Sequence, residues 1–163
     1  MNHLTRSWGK LVFAWRIVLT TGTGCIFGFL VAREGYDAPM LAPTFIAMSL
    51  SIGTAVFLLT ALVLFRQDSV LPDALVRRLG RLLALFVLAS VYLSLVFHLA
   101  NGYAAEHDGW ERFVLHDGGG YTTIFWIGQV IFGSFVPLAL LWSPLGGERA
   151  GVLIASTLVV IGG

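Results

Sequence analysis

Three histidines, His98, His107 and His116, recur nine residues apart in the stretch HLANGYAAEHDGWERFVLHD, among Glu106, Asp108, Glu111 and Asp117. Imidazoles and carboxylates in company could bind a metal, ligate haem or relay protons. Nine residues of α-helix make about 2.5 turns, so one helix would turn successive histidines to opposite faces. The stretch has no compact His-x-x-x-His pair, and a metal is not expected. Intramembrane haem wants axial histidines from facing helices, and only His98 is placed for that, so no haem is expected on this chain. Cys25 is the sole cysteine. It permits neither an internal disulfide nor a cysteine-ligated iron–sulfur cluster, and no Cys-x-x-Cys-His motif offers covalent haem attachment. His107 reads as part of a solvated acidic loop facing a partner, and His116 as part of the approach to the next helix.

The elements that must position these groups are set by an unusual composition. Hydrophobic residues make up 57% of the 163 and charged residues only 12%, with a mean hydropathy of +0.85. A soluble chain needs about 25% charged residues to cover its surface, so lipid must be part of the solvent. The net charge of +1 offers no basic patch for nucleic acid. The basic, apolar N-terminus reads as a transmembrane anchor rather than a signal peptide, because no small-x-small cleavage site interrupts it. A helix needs about 20 apolar residues to cross a bilayer. Spans are expected over residues 11–32, 41–65, 79–100 and 121–142, with a fifth run, 150–163, too short to cross. An all-α, four-helix-bundle-like membrane domain follows, with an incomplete fifth helix that suggests a fragment of a longer protein.

Eight of the ten Lys and Arg residues (Arg6, Lys10, Arg16, Arg66, Arg77, Arg78, Arg81 and Arg149) fall on the N-terminal side and on the second and fourth connections. The positive-inside rule then puts the N-terminus in the cytoplasm and the histidine-rich loop outside, which in a bacterium means the inner membrane and the periplasm. Pro43 sits where the first turn of a helix loses no donor. Asp117-Gly118-Gly119-Gly120 reads as a turn, because it lacks the Lys-Ser/Thr that follows a phosphate-binding loop.

Within the spans, Gly24-x-x-x-Gly28 and Ser49-x-x-x-Gly53 allow close helix approach, while their neighbouring hydroxyls could instead line a proton route. Arg16 either snorkels to the interface or faces a water-filled path. His98 shares a helix face with Ser94 and is either a functional group or a cap at the helix C-terminus. Gln129 and Ser134 need partners, and Pro137 should kink the fourth span.

Three ordered segments carry a family resemblance: AREGYDAPMLAPTFIAMSLSIGTAVFLL, then FHLANGY closing a Tyr-containing third span, then GGYTTIFWIGQVIFGSFVPLALLW. Together they resemble the NrfD/PsrC family, quinol-interacting membrane subunits of polysulfide-reductase-type complexes. Phe125-Trp126 followed by Gly133 and Pro137 is the most specific piece, and Pro39 through Gly53 the next. The chain resembles the C-terminal of the family's two helical bundles, over about residues 25–163. The resemblance implies an iron–sulfur partner and further redox subunits, such as a molybdopterin enzyme, exchanging electrons with menaquinone or ubiquinone. It implies a non-catalytic subunit rather than an enzyme by itself. In the family the quinone pocket lies mainly in the earlier bundle, and the later bundle is discussed as a proton route. Relatives often carry a carboxylate near the end of the third span; here Val96-Phe97-His98 stands instead, with no acid before Glu106.

On that footing His98, Tyr103, Asp117 and Tyr121 are candidates for a polar lip that meets a quinone headgroup or exchanges protons, and Arg16 and Gln129 for a proton path. The rival expectation is a non-redox transporter or scaffold, in which the acidic loop serves cations or a docking partner.

Overall fold

A computed structural model describes residues 3–29, 40–65, 71–103 and 108–162. Every regular element among them is helical, as lipid demands of a chain that must satisfy its own backbone. The elements are α1 (His3–Gly28), α2 (Leu41–Leu64), α3 (Asp73–Tyr103), a short α4 (Asp108–Arg112) continuing as a wide turn over Phe113–Asp117, α5 (Gly120–Trp142) and α6 (Arg149–Gly162). Four of them are long and apolar enough to cross a membrane: Ser7–Gly28 within α1, then α2, α3 and α5. The protein is therefore an all-α integral membrane domain, as its composition indicates.

The expected boundaries shift for physical reasons. The second and fourth spans lie within a residue of 41–65 and 121–142. The third begins earlier, at Asp73, because Arg77, Arg78 and Arg81 are good helix formers that need not be apolar to extend a helix into the interface. Of the first span, residues 30–32 lie outside the described residues. Pro43 stands in the first turn of α2, where its missing N–H has no carbonyl to meet. The turn before α5 is real: Gly119 has φ 56°, the left-handed region that glycine enters without a Cβ penalty.

Packing departs from a bundle of the four long spans. The core joins Ala55, Leu58 and Leu62 of α2, Val76, Leu83 and Val87 of α3, Leu138 and Leu141 of α5, and Val152, Ala155 and Val159 of α6. The short α6 is thus a central wall, with Val152 and Ala155 fully buried. Its start is tied down by Arg149, which donates to Asp73 Oδ1 at 2.8 Å and to the Leu71 carbonyl at 2.7 Å. By contrast, α1 packs on α2 alone among the described elements, and most of its apolar side chains face outward. Its contact is close: a Cβ on Gly24 would stand 2.5 Å from the Ala42 Cα. Thr20, Thr21 and Thr23 each donate to the carbonyl four residues back, so their hydroxyls serve the helix itself. Gly24→Val should force α1 off α2 and cost about 1–3 kcal/mol while the core persists. Thermal unfolding of the detergent-solubilised protein would read this as a lowered midpoint with unchanged helix content.

Pro137 acts on α5 through the hydrogen-bond register. From Ile124 to Phe135 the helix runs in the wide i→i+5 pattern, returning to α at Val136, whose N–H still donates to Ile131 O. A proline offers no N–H and crowds the carbonyl four residues before it, and a widened turn relieves both. Ser134 Oγ donates to Gln129 O at 3.0 Å, taking up a carbonyl in the widened stretch.

Candidate functional site

Two polar residues three apart near the end of α3, His98 and Asn101, share a helix face. Both reach Glu111, which α4 folds back over them. His98 Nδ1 lies 2.8 Å from Glu111 Oε2, and Asn101 Nδ2 donates to Glu111 Oε1 at 3.1 Å. Glu111 and Asn101 are each only 4% exposed. A buried carboxylate is tolerated only where its oxygens are met, and each oxygen of Glu111 has one of these two partners. The imidazole is held edge-on between Phe97 and Phe125, with ring centroids 5.3 and 5.2 Å away. With Nδ1 engaged by Glu111, Nε2 is the nitrogen left for another molecule.

The connection that carries Glu111 is strapped to α5. Trp126 Nε1 donates to the Leu115 carbonyl at 3.1 Å. Thr122 Oγ1 donates to Phe113 O at 3.1 Å and accepts from the Gly118 N–H at 3.0 Å. A Cβ on Gly118 would meet that same carbonyl at 2.6 Å, so the strap needs glycine there.

Beneath the dyad lies a cavity of about 420 Å³, partly enclosed by α2, α3, α5 and α6. This is within the size range of small-molecule pockets. Its walls are mostly apolar, and its few polar groups include His98, Ser90, Ser94 and Gln129. Ser90, Ser94 and His98 follow one another at four-residue steps, one stripe of α3 turned inward. Ser90 donates to its own helix at Phe86 O, so the dyad holds the cavity's ionisable chemistry. On the opposite wall the wide register of α5 presents Phe125, Gln129, Gly133 and Ser134 together. Gly133 brings α5 against α6 backbone to backbone, a Cβ there standing 2.5 Å from the Gly162 carbonyl carbon.

The residues singled out in the sequence do not all meet. His98 and Gln129 share the main cavity. Gln129 and Phe125 also border a second one, of about 350 Å³, with Tyr121 and Gly162. Tyr121 is 73% exposed and lies against Phe113, centroids 6.2 Å apart. Tyr103 is 95% exposed and lines neither cavity. Asp117 is exposed and pairs at 3.4 Å with Arg112, a surface bridge of little energetic weight. Arg16 lies at the α1–α2 contact, its Nη2 3.4 Å from Ser49 Oγ and over Gly53, so the Ser49-x-x-x-Gly53 face receives a guanidinium rather than a helix backbone. Among the described residues no three His, Cys, Asp or Glu side chains group as metal ligands. His116 is exposed, and His107 lies outside the described residues.

Sequence reasoning passed over Glu111, reading it as one acid among several in a wet loop. The carboxylate that meets His98 comes from the connection after the third span, not from the span itself. The available signal was the His98/Asn101 spacing: two polar groups on one face of an apolar helix end ask for a shared partner.

Comparison with known proteins agrees with this architecture. The family model described as "Polysulphide reductase, NrfD" matches residues 2–163. An Hdr-like menaquinol oxidoreductase integral membrane subunit of Archaeoglobus fulgidus is 28% identical over 90% of this chain and 38% of its own. A selenate reductase subunit of Mesobacillus selenatarsenatis is 30% identical over 86% of this chain and 33% of its own. The chain therefore spans about a third of the length of these relatives. No solved structure matches it significantly.

Proposed function

The chain belongs to the NrfD polysulphide reductase family, and from the geometry around His98, rather than from the place of the family's own quinone pocket, we propose that it seats a quinone or quinol there in a membrane-bound redox complex. One observation carries the reading: His98 both walls an apolar cavity and contacts a buried carboxylate, Glu111, at 2.8 Å. A lipid-soluble quinone asks for that combination, an apolar slot for its ring and tail and one ionisable group at the headgroup. Menaquinol appears in the name of one relative, and menaquinone or ubiquinone is the proposed substrate class.

In this reading, oxidation of a quinol releases two electrons and two protons. The electrons pass to an iron–sulfur partner subunit and onward to further redox subunits, since Cys25 alone cannot ligate a cluster. His98 Nε2 accepts the two hydroxyl protons in turn, passing the first to water at the outer side before it takes the second; Glu111 steadies the charge that develops on the ring, and Asn101 holds Glu111 in place. Quinone reduction runs the same steps backward. The arginine-rich end, with the N-terminus, faces the cytoplasm and the dyad the outer side of the inner membrane.

The test uses the intact complex in its native membrane. His98→Ala should weaken binding of a quinone analogue by about tenfold, the worth of one hydrogen bond, and lower quinol-linked turnover. Exposed His116→Ala should do neither. Equal analogue affinity in wild type and His98→Ala, or purification without any iron–sulfur subunit, would overturn the reading in favour of a transporter or scaffold.

A further inference from the structure

We propose that the outer face of α3 is a binding site for an anionic phospholipid, its phosphate held by Arg77, Arg78 and Arg81. This inference is independent of the quinone reading. The residues Arg78, Arg81, Leu85, Leu88, Tyr92, Leu95 and Leu99 follow at alternating steps of three and four, which is one continuous stripe of an α-helix. All seven are exposed, while the buried Val76, Leu83 and Val87 lie on the other side of the helix and the buried Ala84 at the flank of the stripe. Arg77, one helical turn before Arg81, adds a third guanidinium within an arc of about 100°.

These arginines have no anionic partner among the described residues. Asp73, the carboxylate one turn away, is taken by Arg149 at 2.8 Å. The Arg77 stem passes beside Gly147, at which a Cβ would stand 3.7 Å from its Cδ. From Arg81 to Tyr92 the stripe descends about 16 Å, roughly the depth of one leaflet. A row of guanidiniums above a leaflet-deep apolar strip is complementary to a phosphodiester above acyl chains. Arginine's planar fork suits phosphate oxygens, and each basic residue at such an interface contributes about 1 kcal/mol toward anionic lipid.

The experiment is native mass spectrometry of the full complex released from nanodiscs. Those nanodiscs contain phosphatidylglycerol or phosphatidylcholine of matched acyl chains, and a third arm adds inorganic phosphate to the phosphatidylcholine sample. We expect at least a roughly tenfold preference for retained phosphatidylglycerol. The triple variant R77Q/R78Q/R81Q should abolish it, and R112Q, at the opposite end, should preserve it. R81Q alone is measured alongside, with an expected loss of about fivefold, so that a failure of the triple variant to assemble still leaves a decisive comparison. Equal retention of the two lipids, an unchanged preference in R81Q, or displacement of the bound lipid by inorganic phosphate would overturn the proposal. Crosslinking of these arginines to an acid of a neighbouring subunit would do so as well.

Discussion

Glu111→Gln is expected to lower quinol-linked turnover of the intact complex by roughly 10²-fold or more while leaving the complex assembled. Asn101 decides why so conservative a change should matter. Its Nδ2 donates to one oxygen of residue 111, so in the variant the Gln carbonyl takes that position and the amide NH₂ turns to His98. His98 Nδ1, now facing a donor, must accept, and the ring proton moves to Nε2. The nitrogen that should take the quinol proton would then present a hydrogen of its own. The wrong tautomer, rather than a lost shape, disables the site. Steady-state quinol oxidation in membranes containing equal amounts of wild-type and variant complex would measure the effect. Undiminished turnover would remove Glu111, and with it the dyad, from the proposed chemistry. Asn101→Leu adds a control on the explanation, since freeing the Gln amide to turn over should restore part of the activity to Glu111→Gln.

Gly133→Val should have the largest structural effect among single substitutions in α5. A Cβ at 133 would stand 2.5 Å from both the carbonyl carbon and the oxygen of Gly162, backbone atoms that no rotamer change can withdraw. Relief requires α5 and α6 to part, opening the core where Val159 packs. Overpacking of this kind costs about 1–3 kcal/mol, occasionally more. Because Gly133 also walls the main cavity, quinone-analogue binding should fall together with the unfolding midpoint. Gly128→Ala provides the contrast. Its Cβ would meet nothing nearer than Ile124 Cγ2 at 3.8 Å, an ordinary contact, and it should be tolerated. Similar midpoints for the two variants would mean that the α5–α6 contact is not as close in the membrane.

Phe125 and Gly133, two residues of the fourth-span motif that carries the family resemblance, both shape this cavity. Phe125 sets its ring edge against His98, and Gly133 admits α6. That span was readable as a helix with a proline defect, yet the form of the defect was not. Whether a proline bends a helix or widens its register depends on what fills the space beside it, and the neighbours of Pro137 come from elsewhere in the chain.

What the sequence determined by itself was the solvent and the elements. Long apolar runs with few charges must be membrane helices, because no other local structure satisfies the backbone in lipid. The ordered motifs further sufficed to place the chain in its family. The His98/Ser94 face was legible from four-residue spacing. Only the tertiary structure decided which short helix joins the core and which carboxylate meets His98. Local hydropathy ranks α6 as an incomplete span, but burial follows from shape, and its small residues fit between α2, α3 and α5 where the longer α1 stays at the edge. Glu111 stands thirteen residues from His98, on a different helix. Periodicity describes neighbours within one helix, and the direction in which a connection folds back is set by contacts such as Trp126 to Leu115 and Thr122 to Phe113, which exist only once the helices have assembled.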